Sequence, residues 1–429
     1  MKICVIGAGS SYTPELVEGV LAAPLPIEEV WLADLPEGRE RVEVIARLAR
    51  RMAKRAGKAV RFVPTEDRLR AIEGAAFVLN QFRVGLLRMR SLDERLPLRH
   101  GVVGQETTGP GGFANAMRTI PVVRQIAEEV ALHAQDAWLL NFTNPAGLVT
   151  QALVDLGHRR AVGLCNIPRI TERMVVAGAG VPPDAVRISA FGLNHLTGTH
   201  VFVDGQDATA MVLASGAAEA ELRKSAPDAR LPEGFFPSLG FFPNPYLNYF
   251  FFPQATYRHA LEDALSPEGT RAQRVQAIEA ALFAHYRQED LDEKPPELSQ
   301  RGGAFYSEVA VNTMVALSSD TPCELVLNIE NHGAIPELPD EAVVERNALV
   351  DRMGVRPVSC EEPMPRVLGA IVQAVKEYEF LTVQAALEGS RRKAREALLA
   401  HPLVPGAEAA EGLLADLAAV NAEFWPVLR

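Results

Sequence analysis

The chain has 429 residues, of which 48% are hydrophobic and 23% are charged, a composition that is typical of folded globular proteins and excludes a disordered one. Its formal charge of -11, from 43 basic and 54 acidic residues, provides no basic surface for a phosphate backbone and argues against nucleic acid as a partner. No run of about 18 apolar residues is present to span a membrane and the N-terminal apolar run is too short for a secretory signal, so we expect a cytoplasmic protein without a membrane partner.

The N-terminal residues predict a dinucleotide site. An apolar run over residues 2–6 leads into Gly7-Ala8-Gly9-Ser10-Ser11 and then into a helical pattern. Glycines let a pyrophosphate approach the backbone, and the helix N-terminus favours its charge. Tyr12 stands where the usual motif has its third glycine, so a generic tight turn is the alternative for this motif alone. The next strand, residues 30–33, ends at Asp34, and an acidic residue at this distance suits the ribose diol of NAD.

Apolar β runs and helical patterns alternate as far as residue 168. Further β runs cover residues 60–63, 77–81, 137–142 and 161–164, and helical patterns cover residues 39–55, 68–72 and 120–134. This alternation predicts an α/β fold with a doubly wound, Rossmann-type parallel sheet that ends near Cys165, in a domain of residues 1–168. Residues 169–429 are less regular, with strands at 186–191 and 200–203 and helices at 272–285 and 407–429, which predicts a mixed α+β domain.

A polar segment, residues 81–112, combines arginines with glycines, which suits an anionic ligand. Arg83, Arg88 and Arg90 are the candidate phosphate ligands, although a solvated charged face explains any single one of them equally well. Glu106 precedes the run Gly109-Pro110-Gly111-Gly112, which predicts a backbone shaped for close approach rather than for a helix or strand.

Cys165 and His195 are candidate metal ligands. The four cysteines, Cys4, Cys165, Cys323 and Cys360, lack the paired spacing of a disulfide framework or a thiolate zinc site. Cys165 follows a predicted strand, and His195 lies thirty residues later, which is compatible with two converging loops. A thiolate and an imidazole form a reasonable metal pair, while a buried cysteine and a hydrogen-bonded histidine remain the alternative.

Several separated motifs resemble the NAD- and metal-dependent glycoside hydrolases of family 4 across essentially the whole chain. They are Ile6-Gly7-Ala8-Gly9-Ser10-Ser11-Tyr12-Thr13-Pro14, Gly104-Gln105-Glu106-Thr107, residues 141–165, Gly192-Leu193-Asn194-His195, Asn244-Pro245-Tyr246-Leu247 and Arg301-Gly302-Gly303. The resemblance accounts for Tyr12, because the family carries Ser-Ser-Tyr-Thr in place of a third glycine. It implies a lactate/malate dehydrogenase-like fold, with NAD held by Gly7, Gly9, Ser10, Ser11 and Asp34.

The family mechanism is redox-neutral and departs from the usual two-carboxylate scheme. NAD takes a hydride from carbon 3 of the sugar, and a base then removes the acidified proton from carbon 2 so that the aglycone leaves. Water adds to carbon 1, and NAD returns the hydride to carbon 3. The resemblance implies that Cys165 and His195 bind a divalent metal, usually manganese, and that Tyr246 is the base, with Tyr249 as the fallback. It also implies a homodimer or homotetramer.

The resemblance further implies substrate contacts at Arg90, Glu106, Asn144, Asn166 and Arg301, where the two arginines bind a 6-phosphate. Members that act on α-linked phosphosugars tend to carry Asp where this chain has Asn166, so the chain is similar to 6-phospho-β-glucosidases, which split substrates such as phosphorylated cellobiose. Three alternatives stay open: an NAD-dependent glycosidase for an α-linked or unphosphorylated sugar, a net NAD-dependent sugar or hydroxy-acid dehydrogenase, and a non-catalytic sensor of NAD or sugar phosphate.

Overall fold

The computed structural model describes residues 1–225, 232–301, 305–360 and 362–429, so that Gly302 and Gly303 of the motifs above lie outside the described residues. The strands are β1 (Lys2–Ile6), β2 (Glu29–Ala33), β3 (Arg61–Thr65), β4 (Phe77–Asn80), β5 (Trp138–Asn141), β6 (Ala161–Gly163), β7 (Val186–Leu193), β8 (Leu196–Val203), β9 (Gln206–Asp207), β10 (Phe242–Pro243), β11 (Cys323–Glu330), β12 (Val343–Asp351) and β13 (Gly354–Pro357). The helices are α1 (Thr13–Ala22), α2 (Arg39–Arg55), α3 (Arg68–Ile72), α4 (Leu86–Arg95), α5 (Gly109–His133), α6 (Ala146–Asp155), α7 (Ile167–Ala179), α8 (Thr209–Ala214), α9 (Ala217–Ser225), α10 (Phe235–Leu239), α11 (Asn248–Phe251), α12 (Pro253–Leu265), α13 (Arg271–Tyr286), α14 (Tyr306–Leu317), α15 (Arg366–Glu388), α16 (Arg391–Ala400) and α17 (Ala407–Val420).

The main sheet contains the six predicted parallel strands in the order β3-β2-β1-β4-β5-β6, which confirms the doubly wound arrangement. The parallel part of the sheet ends at β6, next to Cys165, as predicted, but the sheet itself continues because β11 pairs antiparallel with β6 through Asn328 and Gly163. Strands β12 and β13 then extend the same sheet. Since residues on both sides of position 168 form one sheet, the domain division at that position stays a prediction.

Strand β1 shows why the first residues form a central strand. Successive side chains of a strand point to opposite faces of the sheet. Ile3 and Val5 accordingly pack in one hydrophobic core, whereas Cys4 and Ile6 pack in another on the opposite face. A continuous apolar run is therefore required here, as in other parallel strands that helices cover on both faces.

The prediction that residues 109–112 form neither a helix nor a strand is wrong, because helix α5 begins at Gly109. Gly109, Pro110, Gly111 and Gly112 form its first turn, where proline is favoured because its missing N–H is not needed. The close approach is between the helix and the preceding loop, since a Cβ atom on Gly111 would lie 2.2 Å from the carbonyl oxygen of Gln105. The predicted helix over 407–429 is also too long, because α17 ends at Val420. Among the described residues, no helix combines the length and apolar character needed to cross a membrane.

A second, smaller sheet forms beside the main one. Strands β7 and β8 make an antiparallel hairpin whose two-residue turn is Asn194-His195. Strand β10 pairs with β8 at Pro243 and Gly198, so the chain segment that continues to Tyr246 begins beside this hairpin.

Candidate active site

One cleft of about 1710 Å³ brings most of the sequence-predicted site residues together. Those on its walls are Gly7, Gly9, Ser10, Asp34, Arg90, Glu106, Asn144, Cys165, Asn166, His195, Tyr246 and Arg301. They come from the ends of β1, β2, β5 and β6, from α4, and from later loops. Ligands of open α/β sheets bind at these strand ends, so the placement is that expected of a ligand site. The role of each residue stays a prediction.

The glycine turn forms one wall of the cleft. Gly7 has a φ of +82°, and a Cβ atom there would lie 2.6 Å from Cβ of Phe82, so the turn requires glycine. The backbone N–H of Gly9 donates to Oδ2 of Asp34 over 2.7 Å. The carboxylate at the end of β2 is therefore held directly against the turn that follows β1, where a dinucleotide would place its ribose and pyrophosphate.

Ser11 differs from its expected role, because it is fully buried and does not line the cleft. Its hydroxyl donates to Oε1 of Glu279 over 2.9 Å, and Glu279 also accepts hydrogen bonds from Arg41 and Arg301. Burial tends to raise the pKa of Glu279, but the two guanidinium groups and the Ser11 hydroxyl outweigh it and lower the pKa. Glu279, which sequence reasoning missed, thus connects the glycine turn to a predicted phosphate ligand.

A cluster of charges surrounds Glu106. Its carboxylate forms ion pairs with Arg83 and with Arg90, the latter over 3.0 Å, and Arg90 also donates to Glu94 over 2.8 Å. Burial tends to raise the pKa of Glu106, but the nearby guanidinium groups outweigh burial and lower the pKa to about 2. Arg88 is different, since its side chain is 66% exposed, as on a solvated face.

Cys165 and His195 lie buried on the cleft wall, although Cys165 follows a strand of the main sheet and His195 lies in the turn of the smaller one. Burial raises the pKa of the Cys165 thiol well above its ordinary value and lowers the pKa of His195 to about 4, so the imidazole is neutral. Among the described residues, no group of three or more His, Cys, Asp and Glu side chains forms a metal cluster. Cys165 and His195 therefore stay a predicted pair of metal ligands.

The hydrogen bonds of His195 fit a metal ligand. Its Nδ1 lies 3.0 Å from Oγ1 of Thr107, and that hydroxyl donates its one proton to Gln105 over 2.8 Å. The Thr107 oxygen must then accept from Nδ1–H, which leaves Nε2 deprotonated with a lone pair for a cation. Such a partner on the other nitrogen is typical of metal-binding histidines.

Tyr246 is adjacent to this pair. Its ring stacks on the His195 ring at a centroid distance of 3.9 Å and an interplanar angle of 15°. Tyr249 is one ring further away, with its centroid 5.8 Å from that of Tyr246. Burial raises the pKa of both phenols, and Arg90 opposes the rise at each. The stacking favours Tyr246 over Tyr249 for chemistry beside a metal ion.

The two predicted asparagines lie at the ends of neighbouring strands. Asn144 follows β5, and its backbone carbonyl accepts a hydrogen bond from Asn115 over 3.1 Å. Asn166 follows Cys165 and occupies the N-cap position of α7. Both side chains line the cleft that also holds Cys165, so they are placed to contact the same ligand.

Sequence reasoning also missed Glu345, which is fully buried on β12 and accepts hydrogen bonds from Asn194 and Asn328. The available signal was the polar run Glu345-Arg346-Asn347 inside the otherwise apolar sequence of β12. A charged residue in the middle of a buried strand is uncommon and indicates a polar network.

Comparison with known proteins identifies the family. The profile described as "Family 4 glycosyl hydrolase" matches residues 2–180, and "Family 4 glycosyl hydrolase C-terminal domain" matches residues 190–404. The "Probable 6-phospho-beta-glucosidase" of Bacillus subtilis (strain 168) is 39% identical over 99% of this chain and 97% of its own length. The "6-phospho-beta-glucosidase" of Escherichia coli (strain K12) is 37% identical over 99% and 96%, respectively.

Solved structures agree with these relatives. The 6-phospho-beta glucosidase of Thermotoga maritima, solved with NAD and glucose-6-phosphate, has a TM-score of 0.90 and 34% identity over 100% of this chain and 99% of its own. Another structure of that protein contains manganese and NAD+. Malate dehydrogenase of Plasmodium falciparum has a TM-score of 0.51 and 13% identity over 89% of this chain and 100% of its own. At this identity the match confirms the dehydrogenase-like fold alone. The chain is a glycosidase by these matches and belongs to glycosyl hydrolase family 4.

Proposed function

We propose that this protein hydrolyses 6-phospho-β-glucosides with the help of NAD and a divalent metal ion, manganese. The observation that carries the proposal is that one cleft combines the glycine turn, the Cys165 and His195 pair, Tyr246 and a cluster of arginines. The similar Thermotoga maritima enzyme, whose structures contain NAD, manganese and glucose-6-phosphate, supports the same set of ligands.

The arginines suit the phosphate group of such a substrate. Arg90 and Arg301 both line the cleft, and each is already oriented by a glutamate, Glu106 or Glu279, at 3.0 to 3.2 Å. Guanidinium groups bind phosphate through paired hydrogen bonds, so a pre-oriented fork suits a sugar 6-phosphate better than a neutral sugar. Asn166, at the position where α-acting members tend to carry Asp, supports the β-linked substrate.

The residues of the chain have distinct tasks in this proposal. When bound, NAD would accept and return the hydride of carbon 3, and the metal would act as a Lewis acid toward the sugar oxygens. Cys165 and His195 would hold the metal, and Tyr246 would take the proton of carbon 2. Burial disfavours the phenolate of Tyr246, so its use as a base depends on positive charge nearby, to which Arg90 contributes.

The test is an assay that follows both product and cofactor. With catalytic NAD and 4-nitrophenyl 6-phospho-β-glucoside, the protein should release nitrophenol while NADH does not accumulate. Steady accumulation of NADH would refute the hydrolase and support a net dehydrogenase. Parallel assays use the unphosphorylated β-glucoside and the phosphorylated and unphosphorylated α-glucosides. They establish whether the protein requires the β linkage and the 6-phosphate.

Substitution of the proposed base separates an enzyme from a sensor. Tyr246→Phe should abolish turnover and solvent exchange of the carbon 2 proton while NAD still binds. Tyr249→Phe should retain exchange, and Tyr257→Phe, whose hydroxyl bonds to the carbonyl of Leu98 away from the cleft, serves as the control. Full exchange in Tyr246→Phe together with its loss in Tyr249→Phe would assign the base to Tyr249.

The cytoplasmic location and the homodimer or homotetramer stay predictions. Light scattering on the purified protein measures the oligomer, and a monomer at assay concentrations would contradict that part of the proposal.

A further inference from the structure

Glu345 is a fully buried carboxyl group in the middle of the apolar strand β12. Its side chain is 0% exposed, and in the part of the chain that the structure describes it forms no salt bridge. Burial of such a group costs free energy unless its oxygen atoms are well hydrogen-bonded. Its donors are neutral side chains, and each of them leads to a different part of the cleft.

The first connection leads to Cys165. Glu345 faces Asn328 across β12 and β11, and Asn328 faces Gly163 across β11 and β6. Nδ2 of Asn328 lies 3.3 Å from Oε1 of Glu345 and 3.4 Å from the carbonyl oxygen of Gly163, two residues before Cys165. The Glu345 carboxyl group is also close enough to the Cys165 thiol for its charge to help raise the pKa of that thiol.

The second connection leads to His195. Nδ2 of Asn194 donates to Oε1 of Glu345 over 2.9 Å. Asn194 and His195 are the two turn residues of the β7 and β8 hairpin. His195 has a φ of +61°, a left-handed conformation that is uncommon for residues other than glycine and needs support from its surroundings.

The third connection leads toward Tyr246. Oγ1 of Thr197 lies 3.5 Å from Oε2 of Glu345 and accepts a hydrogen bond from Asn244 over 3.0 Å. Oδ1 of Asn244 in turn accepts from the backbone N–H of Tyr246 over 2.9 Å. Hydrogen bonds thus connect this one carboxyl group to the segments that carry Cys165, His195 and Tyr246.

We propose that Glu345 is a positioning residue that fixes Cys165 and His195 at the spacing and orientation required to bind a divalent metal ion. The proposal rests on the proposed function only in taking these two residues as metal ligands. Hydrogen-bond partners of metal ligands typically change metal affinity 10- to 100-fold when they are replaced. Glu345 would act in this way on both ligands at once, since Asn328 connects it to the strand that leads to Cys165 and Asn194 connects it to the turn that carries His195.

The test measures metal binding on the full chain without substrate turnover. Glu345→Gln keeps the size of the side chain and one acceptor oxygen but replaces the other oxygen by an amide. Titration with Mn²⁺, followed by the electron paramagnetic resonance signal of the free ion, should give a Kd about 10- to 100-fold higher than that of the unsubstituted protein. The Kd for NAD should change less than about twofold, and excess Mn²⁺ should restore much of the lost activity, which a general folding defect would not allow.

Asp351→Asn is the matched control. Asp351 is a largely buried carboxylate at the C-terminal end of the same strand, and its partner is Arg356 on β13, so Mn²⁺ affinity should not change. If Glu345→Gln does not fold cooperatively, Asn194→Ala tests the same network through the His195 side and should also weaken Mn²⁺ binding. Unchanged Mn²⁺ affinity in either folded variant, or an equal loss in Asp351→Asn, would overturn the role of Glu345. Failure of the unsubstituted protein to bind Mn²⁺ would instead refute the metal-dependent function.

Discussion

Arg118 forms a buried ion pair whose loss should be costly. Its guanidinium group donates to both carboxylate oxygens of Asp93, over 2.9 and 2.6 Å, and to Oδ1 of Asn421 over 2.8 Å. Both charged side chains are at most 1% exposed. Arg118→Met would remove the guanidinium group that is hydrogen-bonded to the buried Asp93 carboxylate, and breaking such a buried pair typically lowers the free energy of unfolding by about 3–5 kcal/mol.

Urea unfolding followed by circular dichroism measures this loss. Arg392→Met is the control, because Arg392 pairs with Glu396 over 2.7 Å while remaining 69% exposed, and such a pair contributes less than about 1 kcal/mol. The double substitution Arg118→Met with Asp93→Leu should recover much of the stability, since no unpaired charge remains. A loss below about 1 kcal/mol in Arg118→Met, or one equal to that of Arg392→Met, would refute the reasoning.

Three further predictions concern the cleft. Gly9→Ala places a Cβ atom 2.7 Å from Oδ2 of Asp34, so calorimetry should show NAD binding weakened by about 1.5–3 kcal/mol, the size of one charge-assisted hydrogen bond; unchanged affinity would contradict the contact. Glu106 has a folded-state pKa of about 2, below its ordinary value, so its roughly 3 kcal/mol of stabilisation should be complete above about pH 4.5 and lost as the pH falls toward 2. The stability difference between the unsubstituted protein and Glu106→Gln should therefore shrink over that range, and a difference that grew on acidification would contradict the sign. Removal of metal with a chelator should abolish hydrolysis, and added Mn²⁺ should restore it. Oxidation of Cys165 should prevent this recovery. Full activity in excess chelator would exclude a metal requirement for hydrolysis.

Local sequence patterns predict the parallel half of the sheet well. Helix α2 begins and ends where the 3.6-residue periodicity predicts, and β1 and α3 also have the expected bounds. The start of α5 could not be predicted in this way, because glycine and proline are poor helix formers and only packing against the preceding loop makes Gly111 favourable. The pairing of Asn328 with Gly163 joins residues 165 positions apart, and a local pattern carries no information about such a partner.

The candidate site also contains some residues that local sequence patterns predict and others that they do not. Residues within short motifs, such as Cys165 and His195, could be predicted from sequence because their neighbours carry the resemblance, and the structure places both on the wall of one cleft. Glu279 and Glu345 are isolated acids whose partners, Ser11 and Asn194, lie 268 and 151 residues away in the sequence. Their importance depends on burial and on contacts that only folding creates.

The interior position of β6 has a consequence for dissecting this protein. The strand that leads to Cys165 is paired with β5 on one side and β11 on the other. The first family match ends at residue 180. A fragment that ended there would retain the glycine turn but would make β6 an unpaired edge strand with exposed backbone N–H and C=O groups. Unprotected strands of this kind recruit other chains. We therefore expect the isolated N-terminal fragment to aggregate, and co-expression with the remainder of the chain to restore a soluble complex.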